Sequence, residues 1–286
     1  MVFAAASFSD VWKAILLGLI EGITEWLPIS STGHMILADS FLSLGVSEGF
    51  RELFFVVIQL FAVLAVPTLY GKKLFLLLFA DPAGKNGAAH ASGGRFTFAK
   101  AVLVASLPAA VLGALLDGAI DRLLFRPAVV GATLVIYGVA FLLVERLREG
   151  REARVRTTSA LSVKDALGIG AFQALSLVPG TSRSGATILG GLLLGVSRGA
   201  ATEFSFFLAL PIMLGASGLK IAKYVFSGGG ATGREWGLLV VGSLCAYFVS
   251  LAAIRALTAF VARRSFRAFG VYRILLGAAV LARCFL

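Results

Sequence analysis

Two glutamates stand close together near the start of the chain, just before a proline and a run of hydroxyl residues. Glu21 and Glu25 are four residues apart, so a helix places them on one face. Two such carboxylates can bind Mg²⁺ or Ca²⁺ through oxygen, or one can accept a proton from an attacking hydroxyl or water. A single glutamate could simply pair with a basic residue to hold helices together. Two on one apolar face favour a functional site.

Two polar loops carry the remaining candidates. The first, Trp-Leu-Pro-Ile-Ser-Ser-Thr-Gly, occupies 26–33, and the second, Val-Pro-Gly-Thr-Ser-Arg-Ser-Gly, occupies 178–185. Each opens a predicted half-helix, where free N–H groups and the positive end of the helix dipole suit an anion. The residues expected to bind a phosphate there are Ser30, Thr32, Gly33, Ser182, Arg183, Ser184, Gly185 and Thr187.

Individual side chains in and near these loops suggest more specific roles. Arg183 presents a planar fork that matches phosphate oxygens, which weakens the alternative that the hydroxyls only bond neighbouring helices. His34 lies beside the carboxylates and is a candidate acid or base, although a lone histidine often just satisfies a buried hydrogen bond. Gln59 and Glu203 are polar groups in apolar segments. Each of these two residues could either support the site or form an ordinary structural hydrogen bond, and the sequence favours neither alternative.

The elements that must position these residues are membrane helices. Hydrophobic residues make up 58% of the 286 positions and charged residues only 14%, against about 25% charged in soluble domains. Alternation of the kind found in membrane β-barrels is absent. Six apolar runs are each about long enough to cross the membrane as a helix; they are 53–70, 98–116, 128–144, 204–219, 236–253 and 269–286.

Two further apolar stretches, 11–37 and 166–194, are interrupted in the middle by the polar loops. Irregular backbone at membrane depth is tolerated only where protein or a water-filled cavity surrounds it, so both breaks should face inward. The sequence therefore predicts an all-α polytopic membrane protein. Its single integral membrane domain, 1–286, should contain six full transmembrane helices and two re-entrant helix-loop-helix pairs.

The two interrupted stretches also resemble each other. At an offset of 152 residues, Ser30 matches Ser182 and Gly33 matches Gly185, while Glu21 is matched by a glutamine. Three predicted spans separate the two motifs, and because three is odd the second half should be upside down relative to the first. Such inverted repeats place their site near the midplane, between the halves. The halves are predicted at about 11–145 and 164–286.

Loop charges support this arrangement. The loops 71–96, 145–164 and 259–267 hold thirteen lysines and arginines, whereas 38–51, 118–126 and 220–235 hold six. Positively charged loops remain cytoplasmic, so the first group is predicted inside. The net charge of +11 thus reflects membrane topology, and nucleic acid is not an expected partner.

Taken together, the motifs resemble the two signatures of the bacterial undecaprenyl-diphosphate phosphatase family, the bacitracin-resistance protein type. The likeness extends to Val57-Ile58-Gln59-Leu60, Gly195-Val-Ser-Arg198, Glu203-Phe-Ser-Phe206 and Tyr272-Arg273, and so covers nearly the whole chain. The resemblance implies that the site contains residues from both family motifs. They are Glu21, Glu25, Ser30, Ser31 and His34 from the first, and Ser182, Arg183, Ser184 and Thr187 from the second.

The resemblance implies hydrolysis of undecaprenyl diphosphate to the monophosphate and phosphate, which recycles the lipid carrier for cell-wall synthesis and confers bacitracin resistance. It implies a divalent cation, Mg²⁺ or Ca²⁺, and we expect Glu21 and Glu25 to hold it. Ser31, or a water that it orients, should attack the phosphorus, and His34 or a glutamate should take the proton. The expected location is the bacterial plasma membrane, with the site opening to the periplasm.

Alternatives remain at this point. A different lipid phosphatase superfamily uses a histidine six residues after an arginine, but that position here is Leu189, which excludes its mechanism. A transporter or flippase of a polyprenyl phosphate is the competing function, because inverted repeats with broken helices are typical of transporters. The expected partners are a polyprenyl diphosphate and membrane lipids. Whether two copies form a homodimer is left open.

Overall fold

The computed structural model describes residues 8–79, 97–124 and 126–285. Over these ranges the chain is helical, and its nearest approach to a strand is one isolated bridge between Val155 and Val196. The Gly/Ala-rich loop at 81–94 lies outside the described residues. The helices are α1 (Phe8–Thr24), α2 (Ser31–Leu42), α3 (Glu48–Val63), α4 (Ala65–Phe79), α5 (Thr97–Leu124), α6 (Pro127–Leu147), α7 (Val163–Ala174), α8 (Arg183–Leu193), α9 (Arg198–Phe226), α10 (Gly233–Val261) and α11 (Arg267–Phe285).

Several of these helices are long and apolar enough to cross a membrane, so the chain is a multi-pass helical membrane protein. Five segments of the described chain meet that condition by length and composition: Glu48–Leu78, Phe98–Leu116, Pro127–Leu147, Arg198–Phe226 and Gly233–Val261. The first combines α3 and α4. The sixth predicted span was 269–286; its described residues, 269–285, lie in α11, which is not among the five. This helix is 19 residues long and includes Arg267, Arg273 and Arg283, which lower its hydropathy.

Both polar loops interrupt the helical structure where the sequence predicted a break. α1 ends at Thr24 and α2 begins at Ser31, while α7 ends at Ala174 and α8 begins at Arg183. Prolines explain the interruptions in part, because proline lacks an N–H and restricts the residue before it. In the second loop Gly180 adds a φ of +88°, which glycine adopts readily. Four short helices therefore flank the two loops.

The two halves of the chain are interleaved. α1 packs against α10, α5 against α7, and α6 against α11, and each pair joins a helix of the first half to one of the second. Glycines allow the closest approach, because small residues bring membrane helices together. A Cβ on Gly138 of α6 would lie only 2.7 Å from the carbonyl oxygen of Gly270 of α11. The chain is thus one packed body in which the two polar loops come together.

Candidate active site

Each polar loop leads into its half-helix through a serine of unusual conformation. Ser30 has φ of 75° and Ser182 has φ of 74°, and they are the two non-glycine residues with positive φ in the described part of the chain. Such a conformation costs about 1–3 kcal/mol and persists only where its surroundings impose it. The Ser30 Oγ accepts from the N–H of Gly33 at 3.2 Å, and the Ser182 Oγ accepts from that of Gly185 at 3.1 Å. The two matched serines therefore have the same local structure.

Glu25 lies at the point where the two loops meet. Its Oε1 accepts a hydrogen bond from Arg183 Nη2 at 2.9 Å. Its Oε2 accepts from the Ser31 Oγ at 2.7 Å and from the Gln59 amide at 3.3 Å. The side chains of Arg183 and Glu25 are only 6% and 3% exposed. Removal of one partner from a buried ion pair of this kind strongly destabilises the folded protein, because the other charge is left buried and unpaired.

The guanidinium of Arg183 is held from two sides. Besides Glu25, it donates through Nη1 to the backbone oxygen of Ser205 at 2.7 Å. Thr187 is one turn along α8, and its hydroxyl donates to the Ser205 Oγ at 2.7 Å. Ser184 donates to the backbone oxygens of Glu25 and Leu27, each at 3.2 Å. The second motif therefore orients the first at several points.

Glu21 faces a cavity of about 570 Å³. Its Oε1 is buried and has no hydrogen-bond partner among the described residues, an uncommon state for a buried carboxylate oxygen. The cavity is lined by residues from α1, α2, α3 and α9, namely Glu21, Ser31, Thr32, Met35, Ile36, Asp39, Arg51, Glu52, Phe55, Val56, Gln59 and Lys220.

The residues of this cavity suit a divalent cation. Glu21, Asp39 and Glu52 bring carboxylate oxygens to the cavity, while only Arg51 and Lys220 are basic. The described chain contains no group of three or more His, Cys, Asp or Glu residues that could hold a metal by itself. Mg²⁺ commonly binds through one or two carboxylates together with substrate phosphates and water. The unpartnered oxygen of Glu21 fits that pattern.

His34 is placed differently from the other residues of the first motif. Its Nδ1 lies 2.7 Å from the backbone oxygen of Ser30, and its Nε2 lies 2.7 Å from the hydroxyl of Tyr272. A carbonyl oxygen can only accept, so the ring proton belongs on Nδ1 and Tyr272 donates to Nε2. His34 does not line the cavity beside Glu21. Its contacts join α2 to α11.

Arg273 holds the two polar loops together, a function that the sequence did not reveal. It is fully buried, and its guanidinium donates to the backbone oxygens of Pro28 at 3.0 Å, Gly180 at 2.8 Å and Thr181 at 2.9 Å. Its presence in the last apolar run was a usable sign, because a charge in a membrane helix is costly unless it has a function. Its partners are backbone carbonyls, which no residue pattern identifies.

The structure brings most of the predicted residues close together, but only some of them line the cavity beside Glu21. Ser31 and Thr32 line the cavity with Glu21. The second motif contributes none of the cavity-lining residues, and Arg183 reaches the cluster through Glu25. Gln59 joins the cluster through the same carboxylate.

Glu203 lies elsewhere. It pairs with Lys73 at 2.5 Å and accepts a hydrogen bond from Thr158. All three residues line a separate cavity of about 280 Å³. Of the two residues expected to support the site, only Gln59 contacts it.

Comparison with known proteins places this architecture in a family. The family model described as bacitracin resistance protein BacA matches residues 14–279. An undecaprenyl-diphosphatase of Enterococcus faecalis is 47% identical over 277 residues, covering 97% of this chain and 98% of the relative. Proteins of the same name from Lacticaseibacillus paracasei and Acetivibrio thermocellus are each 46% identical, covering 97% and 94% of this chain and 99% and 95% of their own lengths. The chain therefore belongs to the bacitracin resistance protein BacA family.

Proposed function

We propose that this protein hydrolyses undecaprenyl diphosphate to undecaprenyl phosphate and inorganic phosphate. Relatives that are similar to this chain over nearly their full lengths are named undecaprenyl-diphosphatase. The observation that supports the proposal most directly is the contact of Ser31 and Arg183 with one buried carboxylate, Glu25, beside a cavity that Glu21 lines. The proposed nucleophile, its proposed base and the guanidinium of Arg183 are thus adjacent.

Ser31 is the nucleophile that this arrangement favours. Its hydroxyl donates to Glu25 at 2.7 Å, so the proton can pass to that carboxylate as the Ser31 Oγ attacks the terminal phosphorus. The bond from phosphorus to the bridging oxygen breaks, and undecaprenyl phosphate leaves as an anion that needs no proton. Water then attacks the phosphorus of the phosphoserine, and the bond from phosphorus to the Ser31 Oγ breaks. Glu25 returns the proton of the first step to that oxygen, takes a proton from the water and passes it to solvent, and inorganic phosphate is released. For His34 we propose a positioning function, which its contacts with Ser30 and Tyr272 support.

Positive charge and hydrogen-bond donors stabilise the negative charge that develops on the phosphoryl group. Arg183 supplies a fixed guanidinium, and its Nε has no hydrogen-bond partner in the part of the chain that the structure describes. The free N–H groups at the start of α2 supply further donors. Gln59 and Arg183 also orient Glu25, since they approach different oxygens of the carboxylate.

We further propose that a divalent cation, Mg²⁺ or Ca²⁺, assists the reaction. Glu21 would hold it through the oxygen that has no partner, and Glu25 is the second candidate ligand. When bound, such an ion supplies Lewis-acid polarisation of phosphoryl oxygens. The excess of carboxylates over basic side chains in the cavity supports this assignment.

The proposed fold is an inverted repeat of six spans and two re-entrant pairs. The packing pairs support it: α1 with α10 has its counterpart in α7 with α5, and α1 with α2 has its counterpart in α7 with α8. The shared conformation of Ser30 and Ser182 gives independent support. α11 would serve as the sixth span, with Arg273 satisfied by backbone oxygens.

We place the protein in the bacterial plasma membrane with the site open to the periplasm. The cavity beside Glu21 includes Arg51 and Lys220, which lie in α3 and α9. Both fall within 38–51 and 220–235, two of the ranges predicted as loops with fewer positive charges. Positively charged loops remain in the cytoplasm, so this orientation turns the cavity outward. A lipid diphosphate could then reach the site from the outer leaflet.

Phosphate release separates this function from transport of a polyprenyl phosphate. Purified protein in detergent micelles should release inorganic phosphate from undecaprenyl diphosphate when Mg²⁺ or Ca²⁺ is present, and EDTA should abolish the release. A transporter would move the intact lipid in vesicles without cleaving it. Absence of divalent-dependent phosphate release from a folded sample would contradict the phosphatase proposal.

A further inference from the structure

The rim of the cavity beside Glu21 carries two positive side chains, Arg51 and Lys220. Glu21 and Ser31 are buried and Gln59 is half-buried, whereas Lys220 is exposed, so Glu21, Ser31 and Gln59 form the deep end. Gln59 and Arg51 are eight positions apart on α3, and Ser31 and Asp39 are eight positions apart on α2. Eight positions correspond to about 12 Å of helix. The cavity is therefore long enough to hold a diphosphate with its two phosphates at different depths.

Lys220 is the more available of the two cations. It is exposed on α9 and forms no ion pair with any described residue. Arg51 lies 3.6 Å from Asp39 and 4.0 Å from Glu48, so part of its charge is already neutralised. Glu52 stands at the same rim but has no ion pair within the described chain either.

Positive side chains are few on this face of the protein, and a third of them lie at this cavity. The loops of this face hold only six lysines and arginines, yet two of the six line this one cavity. Lys223 is one turn further along α9 and does not line it. Lysine offers a mobile point charge on a flexible stem, which suits a phosphate whose exact position shifts during a reaction.

We propose that Lys220, assisted by Arg51, binds the phosphate that stays on the lipid. This is the inner phosphate of the diphosphate before cleavage and the phosphate of the prenyl monophosphate afterwards. The proposal rests on the proposed phosphatase function, which places the terminal phosphate at Ser31. Because the prenyl chain must leave toward the lipid, its ester-linked phosphate lies on the rim side of the terminal one.

Product inhibition tests this assignment with Lys223 as the matched control. The full chain in detergent micelles is assayed with farnesyl diphosphate and Mg²⁺, and farnesyl monophosphate is the inhibitor. Lys220→Ala should raise both KM and the inhibition constant of farnesyl monophosphate by about fivefold, the range expected for a partly exposed ion pair. Lys223→Ala should leave both values unchanged, and Lys220→Arg should restore them. Inhibition by inorganic phosphate, which binds at the deep end, should be equal in all variants.

An unchanged inhibition constant in Lys220→Ala would overturn the rim site, as would an equal change in Lys223→Ala, since that would reflect surface charge in general. Wild-type protein that releases no phosphate would defeat the proposed function instead. Titration of farnesyl monophosphate into wild-type and Lys220→Ala protein then decides the rim site by the same comparison of affinities.

Discussion

Arg183 Nη2 lies 2.9 Å from Glu25 Oε1 and joins two residues that are 158 positions apart in the chain. One belongs to each polar motif, so neither half of the chain contains a complete site. The first motif supplies Ser31 and the two carboxylates. The second supplies the guanidinium of Arg183 and the hydroxyls of Ser184 and Thr187, which hold the neighbouring segments in place. This contact makes one composite site out of two similar but unequal loops.

The hydroxyl of Ser31 should be essential for catalysis. Ser31→Ala removes the donor to Glu25 and the proposed nucleophile, so kcat should fall by at least about a thousandfold. Ser184→Ala is the matched control, since Ser184 contacts only backbone oxygens of the first motif and Ser182; it should lose far less. Phosphate release by Ser31→Ala within about tenfold of wild type would show that water attacks directly.

Arg273 should matter for stability. Arg273→Ala leaves three backbone oxygens without this buried donor, and each unsatisfied group costs about 1–3 kcal/mol. Thermal unfolding in detergent should therefore show a clearly lower Tm. Arg283→Ala is a suitable control on the same helix, because Arg283 is exposed and lies 5.0 Å from the ring of Phe41. Equal decreases of Tm in the two variants would contradict the conclusion that Arg273 holds the two polar loops together.

The ion pair at the start of α7 should make stability depend on pH. Burial raises the pKa of the Asp165 carboxyl, but hydrogen bonds from Arg154 and Ser162 outweigh burial and hold that pKa below its ordinary value. The stabilisation is therefore complete above pH about 4 and is lost as the pH falls through the lowered pKa.

Asp165→Asn provides the comparison for this pH effect. The difference in Tm between wild type and Asp165→Asn should be full at neutral pH and should shrink below pH about 4. A difference that stays constant or grows as the pH falls would contradict the assignment.

Sequence reasoning anticipated the parts of the site that depend on local chemistry. Prolines and glycines mark both breaks, and the matched positions of Ser30 and Ser182 already indicated that the loops are related. The charges of Glu25 and Arg183 are costly in apolar surroundings unless they are paired, but the sequence assigned Arg183 to phosphate and did not predict this contact.

Other features depend on how the helices rotate and pack, which one sequence does not specify. His34 is close to Glu25 in the sequence, yet its ring contacts Tyr272 of α11. Glu203 was a candidate for supporting the site, yet it pairs with Lys73 in a different cavity. Arg273 contacts backbone oxygens, so no complementary residue type pointed to its function.

A double-mutant cycle on Glu25 and Arg183 tests the composite site most directly. The measurement is kcat/KM for phosphate release from undecaprenyl diphosphate by Glu25→Gln, Arg183→Ala and the double variant, using samples that elute as single species. The double variant leaves no unpaired buried charge, so it controls for folding. Each single change should lower kcat/KM by at least about a thousandfold, and the double change should lower it little further, because the two residues act as a unit. Near-normal phosphate release by either folded single variant would contradict the account.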